Sequence, residues 1–201
     1  MRLVSLGTNC APGVQILRER KQRGVASPFS WQVCTPELVL NILQDNFTKL
    51  LDKERYTAYT WWTEKENRLM ADLGSGFGKF VFAHSDPLKN PDDYLKLKAQ
   101  CSYLRRCLNT DNDLGYIMSI WRHQPYKKHK EALVGIRKII PKNCKFFVCC
   151  MEQGQNLGPT LTEDDIYYGA VDIGGAEWGD MRVRAYGESD RYTRMIDEIF
   201  Y

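Results

Sequence analysis

Apolar residues recur along this chain with two periods, and the switching between them outlines the elements. Alternating or continuous short apolar runs predict strands at residues 2–6, 56–62, 68–73, 79–83, 114–121, 145–151, 167–173 and 181–185. Three-to-four spacing predicts helices. Val14 and Leu17 give a first helix its inner face. Val39, Ile42, Leu43, Phe47 and Leu50 line a second, and Tyr94, Leu97, Cys101, Leu104 and Leu108 a third. Residues 127–139 form a fourth, and Tyr192, Met195, Ile196 and Ile199 a last one. Local signals agree with these starts. Thr8 or Asn9 can cap the first helix, with Pro12 in its first turn, while Thr35-Pro36-Glu37 and Pro91-Asp92-Asp93 open the next two. Residues 64–67 read as a hairpin turn, and Gly74-Ser75-Gly76-Phe77-Gly78 as another turn leading into a strand. Asp164 and Asp165 read as the start of a helical turn.

From residue 79 onward the order strand, helix, strand, helix, strand predicts an α/β fold. The expected form is a layered domain with a central mixed, largely parallel sheet flanked by helices. The hairpin near Tyr56 and the late strands would add antiparallel edges. With 201 residues, no repeat and no linker-like stretch, residues 1–201 are expected to form one catalytic-type domain with a sizeable core.

Charge changes this picture little. A formal net charge of +3 is too small to imply nucleic acid or an acidic membrane as partner. Arg105, Arg106, Arg122, Lys127, Lys128 and Lys130 fall mostly where helices would face water. No stretch approaches the ~20 apolar residues that cross a bilayer, and the opening residues lack a secretory signal's apolar centre. A cytoplasmic protein is expected. The 7 cysteines fit a reducing compartment, being odd in number and set in apolar patterns rather than at disulfide spacings. No C-x-x-C occurs, and Cys149 and Cys150, adjacent on a strand, would face opposite ways, so neither a metal site nor a cofactor is expected.

Candidate chemistry gathers at Cys10. It follows a strand and a glycine turn and would sit in the first turn of a helix, where unpaired N–H groups and the helix dipole favour a thiolate. The bland reading is a small buried cysteine. Of the 3 histidines, His123 and His129 lie in a polar, basic stretch, whereas His84 ends the apolar run KFVFAH and precedes Asp86. His84 could serve as base to Cys10, with Asp86 to orient it, or could simply bond a loop carbonyl.

Val4-Ser5-Leu6-Gly7-Thr8-Asn9-Cys10, then Gln15-Ile16-Leu17-Arg18 and Pro28-Phe29-Ser30-Trp31, resemble the opening of a papain-like cysteine peptidase family. Its members carry S-L-G-x-x-C, an L-R helix and a P-F-D-W motif. Val81-Phe82-Ala83-His84, Asp86 and Arg105-Arg106 resemble its later strand-histidine and Arg-Arg parts. The first half of the chain matches closely and the second loosely. The resemblance implies Cys10 as nucleophile, His84 as base and Asp86 as orienting acid, with Asn9, Phe29, Ser30 and Trp31 on the substrate side. Two departures stand out: Ser30 replaces the family's aspartate, and Ser85 separates His84 from Asp86. The family label also implies a papain-like α+β fold, against the layered α/β sheet read from the alternation.

Three functions follow from these residues. The first is a thiol hydrolase or peptidase acting on a peptide or other acyl substrate, without cofactor, nucleic acid or membrane. The second is a glycosyltransferase-like enzyme using a sugar or phosphate donor, with the basic cluster near Arg105 and Arg106 and the Trp61-Trp62 pair as its contacts. The third is an inactive binding module, which Ser30 makes plausible.

Overall fold

A computed structural model of the chain describes residues 1–7, 27–30, 32, 34–61, 66–75, 78–82, 85–110, 113–121, 126–152, 157–172 and 189–201. Among the described residues, eight strands lie in two sheets. The larger has the order β1-β5-β6-β8-β7, formed by β1 (Arg2–Ser5), β5 (Leu114–Trp121), β6 (Lys145–Glu152), β8 (Tyr167–Asp172) and β7 (Leu157–Leu161). Its first four strands in that order run parallel, and β7 joins β8 antiparallel at one edge. The smaller sheet is an antiparallel meander of β2 (Tyr56–Trp61), β3 (Glu66–Asp72) and β4 (Lys79–Phe82). Helices α1 (Pro36–Gln44), α2 (Pro91–Asn109), α3 (Tyr126–Ile139) and α4 (Ser189–Phe200), with a short 3-10 helix at Lys53–Arg55, complete the described elements. The fold is α/β, and the layered reading, not the papain-like α+β one, is the one observed.

Strand pleating divides the core. Along β6, Phe146, Val148 and Cys150 face one side and Phe147 and Cys149 the other, because successive side chains alternate. The first face meets α1 through Leu38, Val39 and Ile42, α2 through Leu97, Cys101 and Leu104, and α3 through Leu133 and Ile136. The small sheet adds Phe80 and Phe82 to this cluster. The second face meets only α4 among the described residues, through Tyr192, Met195, Ile196, Ile199 and Phe200. That docking needs Gly115, since a Cβ there would lie 2.4 Å from the ring of Phe200.

Several expectations need correction. The strand at 79 does not enter the parallel sheet. It closes a hairpin with β3 across the glycine turn, where Gly74 and Gly78 take φ of +93° and +96°, and β1 is the further parallel strand. The apolar stripe of α1 continues to Leu50, but the helix stops at Gln44, because Asn46 and Phe47 take left-handed φ of 53° and 63°. Phe47 and Leu50 remain buried, delivered by a turn instead of a helix. Asp165, with φ 59°, sits in the β7–β8 turn and opens no helix. Strand β7, with Gly158 and Pro159, is missing from the periodicity because it is an edge strand without a buried face. The first helix and the strand expected at 181–185 lie outside the described residues.

Candidate functional site

The carboxyl end of β1 is built from serines and one glycine. Leu6 N donates to Ile117 O at 2.7 Å, and Ser119 N donates to Gly7 O at 2.9 Å, so the chain follows β5 to Gly7. Gly7 N then turns back to Ser5 Oγ at 3.2 Å, with φ +83°. Only glycine takes that φ without strain, and space enforces the choice too. A Cβ at Gly7 would lie 3.2 Å from Cys34 Sγ, from Phe29 Cβ and from Phe29 O.

Residues 27–30 clamp this end. Ser27 Oγ donates to Ser5 O, Phe29 N donates to Ser27 Oγ at 3.1 Å, and Ser27 N donates to Ser30 Oγ at 3.0 Å. All three serines are buried, and the cluster gives the loop's amides the acceptors that burial demands. Phe29 drops wholly into the core, its ring 6.4 Å from Phe47 and 6.2 Å edge-on from Phe80. Phe29 and Ser30 are thus interior positions that hold the end of β1. At position 30 a hydroxyl suffices to accept from Ser27 N.

Cys10, Asn9, Trp31 and His84 lie outside the described residues, as do Trp62 and the glycine-rich stretch at 174–179. Asp86 is described. Its Oδ1 accepts from Leu88 N at 3.2 Å and Lys89 N at 3.0 Å, its own N–H donates to Asp93 Oδ2 at 2.9 Å, and Lys89 Nζ stands 3.9 Å from Oδ2. Its carboxylate is engaged by the turn leading to α2. Of the basic cluster, Arg105 donates to Asn46 Oδ1 at 2.7 Å and to Asn46 O, and stacks over Phe47 at 5.3 Å. It pins the left-handed turn after α1, which leaves little of it for a phosphate.

His129 overturns its assignment to a polar stretch. Only 3% exposed, it lies in the first turn of α3, and its Nδ1 stands 2.5 Å from Glu37 Oε1 in the first turn of α1. Its Nε2 is buried and has no hydrogen-bond partner among the described residues. An unmet buried polar atom costs about 1–3 kcal/mol. Sequence reasoning missed the pair because 92 residues separate its members. The available hint was Glu37 directly after a Thr-Pro helix start, facing an i+3 apolar set on α3 that includes His129, Ala132 and Leu133.

Burial pushes the Glu37 carboxyl up, but hydrogen bonds from His129, its own backbone and Thr35, with the imidazole's charge, outweigh it, and its pKa falls below 4.5. A carboxyl lowered on folding stabilises the fold above its unfolded pKa, and that contribution disappears as pH falls through the lowered folded value. Glu37→Gln is therefore expected to flatten the acid limb of the stability curve below about pH 4.5, with little change in slope above it. Urea unfolding midpoints at stepped pH measure this.

The described cysteines form a silent background. Cys34, Cys101, Cys107, Cys144, Cys149 and Cys150 are buried and form no disulfide among the described residues. Burial pushes Cys34 and Cys101 up to about 12, and also raises Cys107 and Cys149. Cys149 and Cys150 do face opposite sides of the sheet. No helix among the described residues is long and apolar enough to cross a membrane. Comparison with family models, with curated proteins and with solved structures gives no match to this chain.

Proposed function

We propose that this chain is a cytoplasmic thiol hydrolase of the papain-like peptidase type, with Cys10 as nucleophile toward a peptide or other acyl substrate. One observation carries the reading: the strand leading to Cys10 ends in a built turn at the carboxyl edge of a parallel sheet. Open α/β sheets hold their ligands at that edge. Gly7, left-handed and pressed by Phe29 and Cys34, lies three residues before Cys10, a reach of at most ~10 Å along the chain. The serine clamp on Ser5 fixes where that short segment begins.

In this reading the Cys10 S–H bond breaks as an imidazole nitrogen takes the proton. The sulfur lone pair attacks the acyl carbon, and the bond to the leaving group breaks as the imidazolium returns the proton to it. Water then attacks the thioester, gives its proton to the same nitrogen and releases the acid and the thiol. Backbone N–H groups after Gly7 would hold the oxyanion. The resemblance implies His84 for the proton, with Asp86 orienting it and Asn9 and Trp31 beside the substrate.

Alkylation with iodoacetamide at pH 6.5, read by peptide mass spectrometry, tests the nucleophile. Cys10 is expected to react more than ~10-fold faster than the six buried cysteines, and Cys10→Ala to lose turnover of p-nitrophenyl acetate. Equal labelling rates, or full turnover in the alanine variant, would end the proposal.

A further inference from the structure

We infer that the groove between α4 and β7 binds a short peptide by its two charged ends, with the terminal carboxylate on Arg191 and Arg194 and the terminal ammonium on Glu198. The inference concerns binding alone and does not depend on the hydrolase reading.

The groove follows from how α4 is set on the sheet. Tyr192, Met195, Ile196 and Ile199 are buried against it. Gly169 of β8 permits the close approach, since a Cβ there would lie 2.9 Å from Met195 Sδ. With that face fixed, Arg191, Arg194 and Glu198, spaced i, i+3 and i+7, form a stripe of their own that borders β7. Strand β7 offers this stripe a bare floor. Its pairing with β8 shifts register between Leu157 and Thr160, so Gly158 and Pro159 stand out of the regular ladder. A Cβ on Gly158 would have no atom within 4 Å. The result is a groove of about 360 Å³ lined by Gly158, Pro159, Arg191, Arg194, Met195 and Glu198. Small-ligand sites span about 300–1,000 Å³, so the space suits a small occupant.

The order of charges selects that occupant. One end of the groove carries two guanidinium groups and the other a carboxylate, which matches a ligand charged oppositely at its two ends. Arginine forks hold a carboxylate through paired hydrogen bonds. A phosphate monoester would bring about two negative charges toward Glu198, which a carboxylate avoids. Length agrees with charge. At about 1.5 Å per residue, Glu198 stands about 6 Å beyond Arg194 and about 10 Å beyond Arg191 along the helix. Three extended residues span at most about 10 Å. A tripeptide can therefore place its carboxylate on the arginines and its ammonium on Glu198, with its middle on Pro159 and Met195. Arg191 is half-buried, whereas Arg194 and Glu198 are exposed, so both charged ends can be reached from solvent.

The test is an NMR titration of the isotope-labelled full chain with trialanine at neutral pH, following the amides of residues 157–161 and 191–198. Trialanine should shift these amides. Its C-terminal amide should bind about 10-fold or more weakly, and its N-acetyl form should lose a smaller factor in the same direction. Arg191→Gln and Arg194→Gln should each weaken trialanine by about 10-fold. Gly158→Val fills the floor where a Cβ meets nothing, and should block binding. Lys138→Gln, at an exposed cation on α3, should leave the affinity within about twofold. No shift at about 10 mM trialanine overturns the inference. Equal binding of trialanine and its amide overturns it too. Equal weakening by Lys138→Gln and the arginine variants also overturns it, marking a general effect of surface charge. If an arginine variant does not fold, the three peptides on the wild-type chain decide.

Discussion

Phe29→Ala is expected to cost about 3–5 kcal/mol of folding free energy, the range for truncating a fully buried phenylalanine. The ring is wholly buried, meets Phe47 and Phe80, and its own backbone lies against Gly7. Its removal leaves a cavity between the small sheet, the turn after α1 and the end of β1. These walls belong to different elements, so they cannot close together without moving the strands, and the upper half of the range is expected. For a chain of this size, each kcal/mol lowers Tm by about 2–4 °C, so a fall of about 10 °C or more should be visible. Phe29→Leu keeps most of the volume and should lose less than about 1.5 kcal/mol. Urea unfolding of the two variants checks the ordering. A cost below about 1 kcal/mol for alanine would mean that residues 27–30 do not pack as described.

Arg137→Ala should destabilise the chain by about 3 kcal/mol, through a buried charge with unusually complete partners. Nε donates to Asp165 O at 2.9 Å and to Oδ2 at 3.0 Å, and Nη2 reaches the same Oδ2 at 2.6 Å. Nη1 donates to Ile140 O at 3.2 Å and Nη2 to Lys142 O at 3.2 Å, so the guanidinium ties the end of α3 to the β7–β8 turn. Breaking a buried pair typically costs 3–5 kcal/mol. The lower end applies because the Asp165 side chain is 65% exposed and can return to water. Arg137→Lys should recover little, since an ammonium cannot serve carbonyls and a carboxylate through a planar fork. Asp165→Asn should cost least, because the carbonyl contacts remain. The order alanine, lysine, then Asp165→Asn in urea midpoints is the measurable result; equal losses in all three would contradict the staple.

Much of the fold was legible because periodicity reports on burial. Strands β5 and β6 emerged within a residue, and helices α2 and α4 emerged through their inward apolar stripes. The same logic failed at α1, where burial continued through Phe47 and Leu50 after the helix had ended. A hydrophobic period records which residues are inside, but not which backbone conformation brings them there. It failed again at β7, where no face is buried and pairing with β8 comes from backbone groups that every residue carries. The small sheet shows a third limit. The run 79–82 has the composition of a parallel strand, yet the glycine turn before it fixes it as the third strand of an antiparallel meander.

For the candidate site, the linear chain marked Gly7 and Cys10 by local signals, a turn glycine and a helix start, whereas the 28–31 block was marked by resemblance alone. It could not mark His129. Surrounded by Lys127, Lys128 and Lys130, that residue reads as solvated, and its burial depends on α1 arriving from 92 residues away with Glu37 at its tip.

The amino-acid order by itself determined the α/β class, the separation of the two faces of β6 and the starts of α1 and α2. Alternation and capping act over a few neighbours, and so are written locally. Only the tertiary structure decided which strands share a sheet, that Ser5, Ser27 and Ser30 close on one another, and that Glu37 meets His129. Those pairings join distant segments, and they form because a buried polar group must find its partner wherever the packed core brings one.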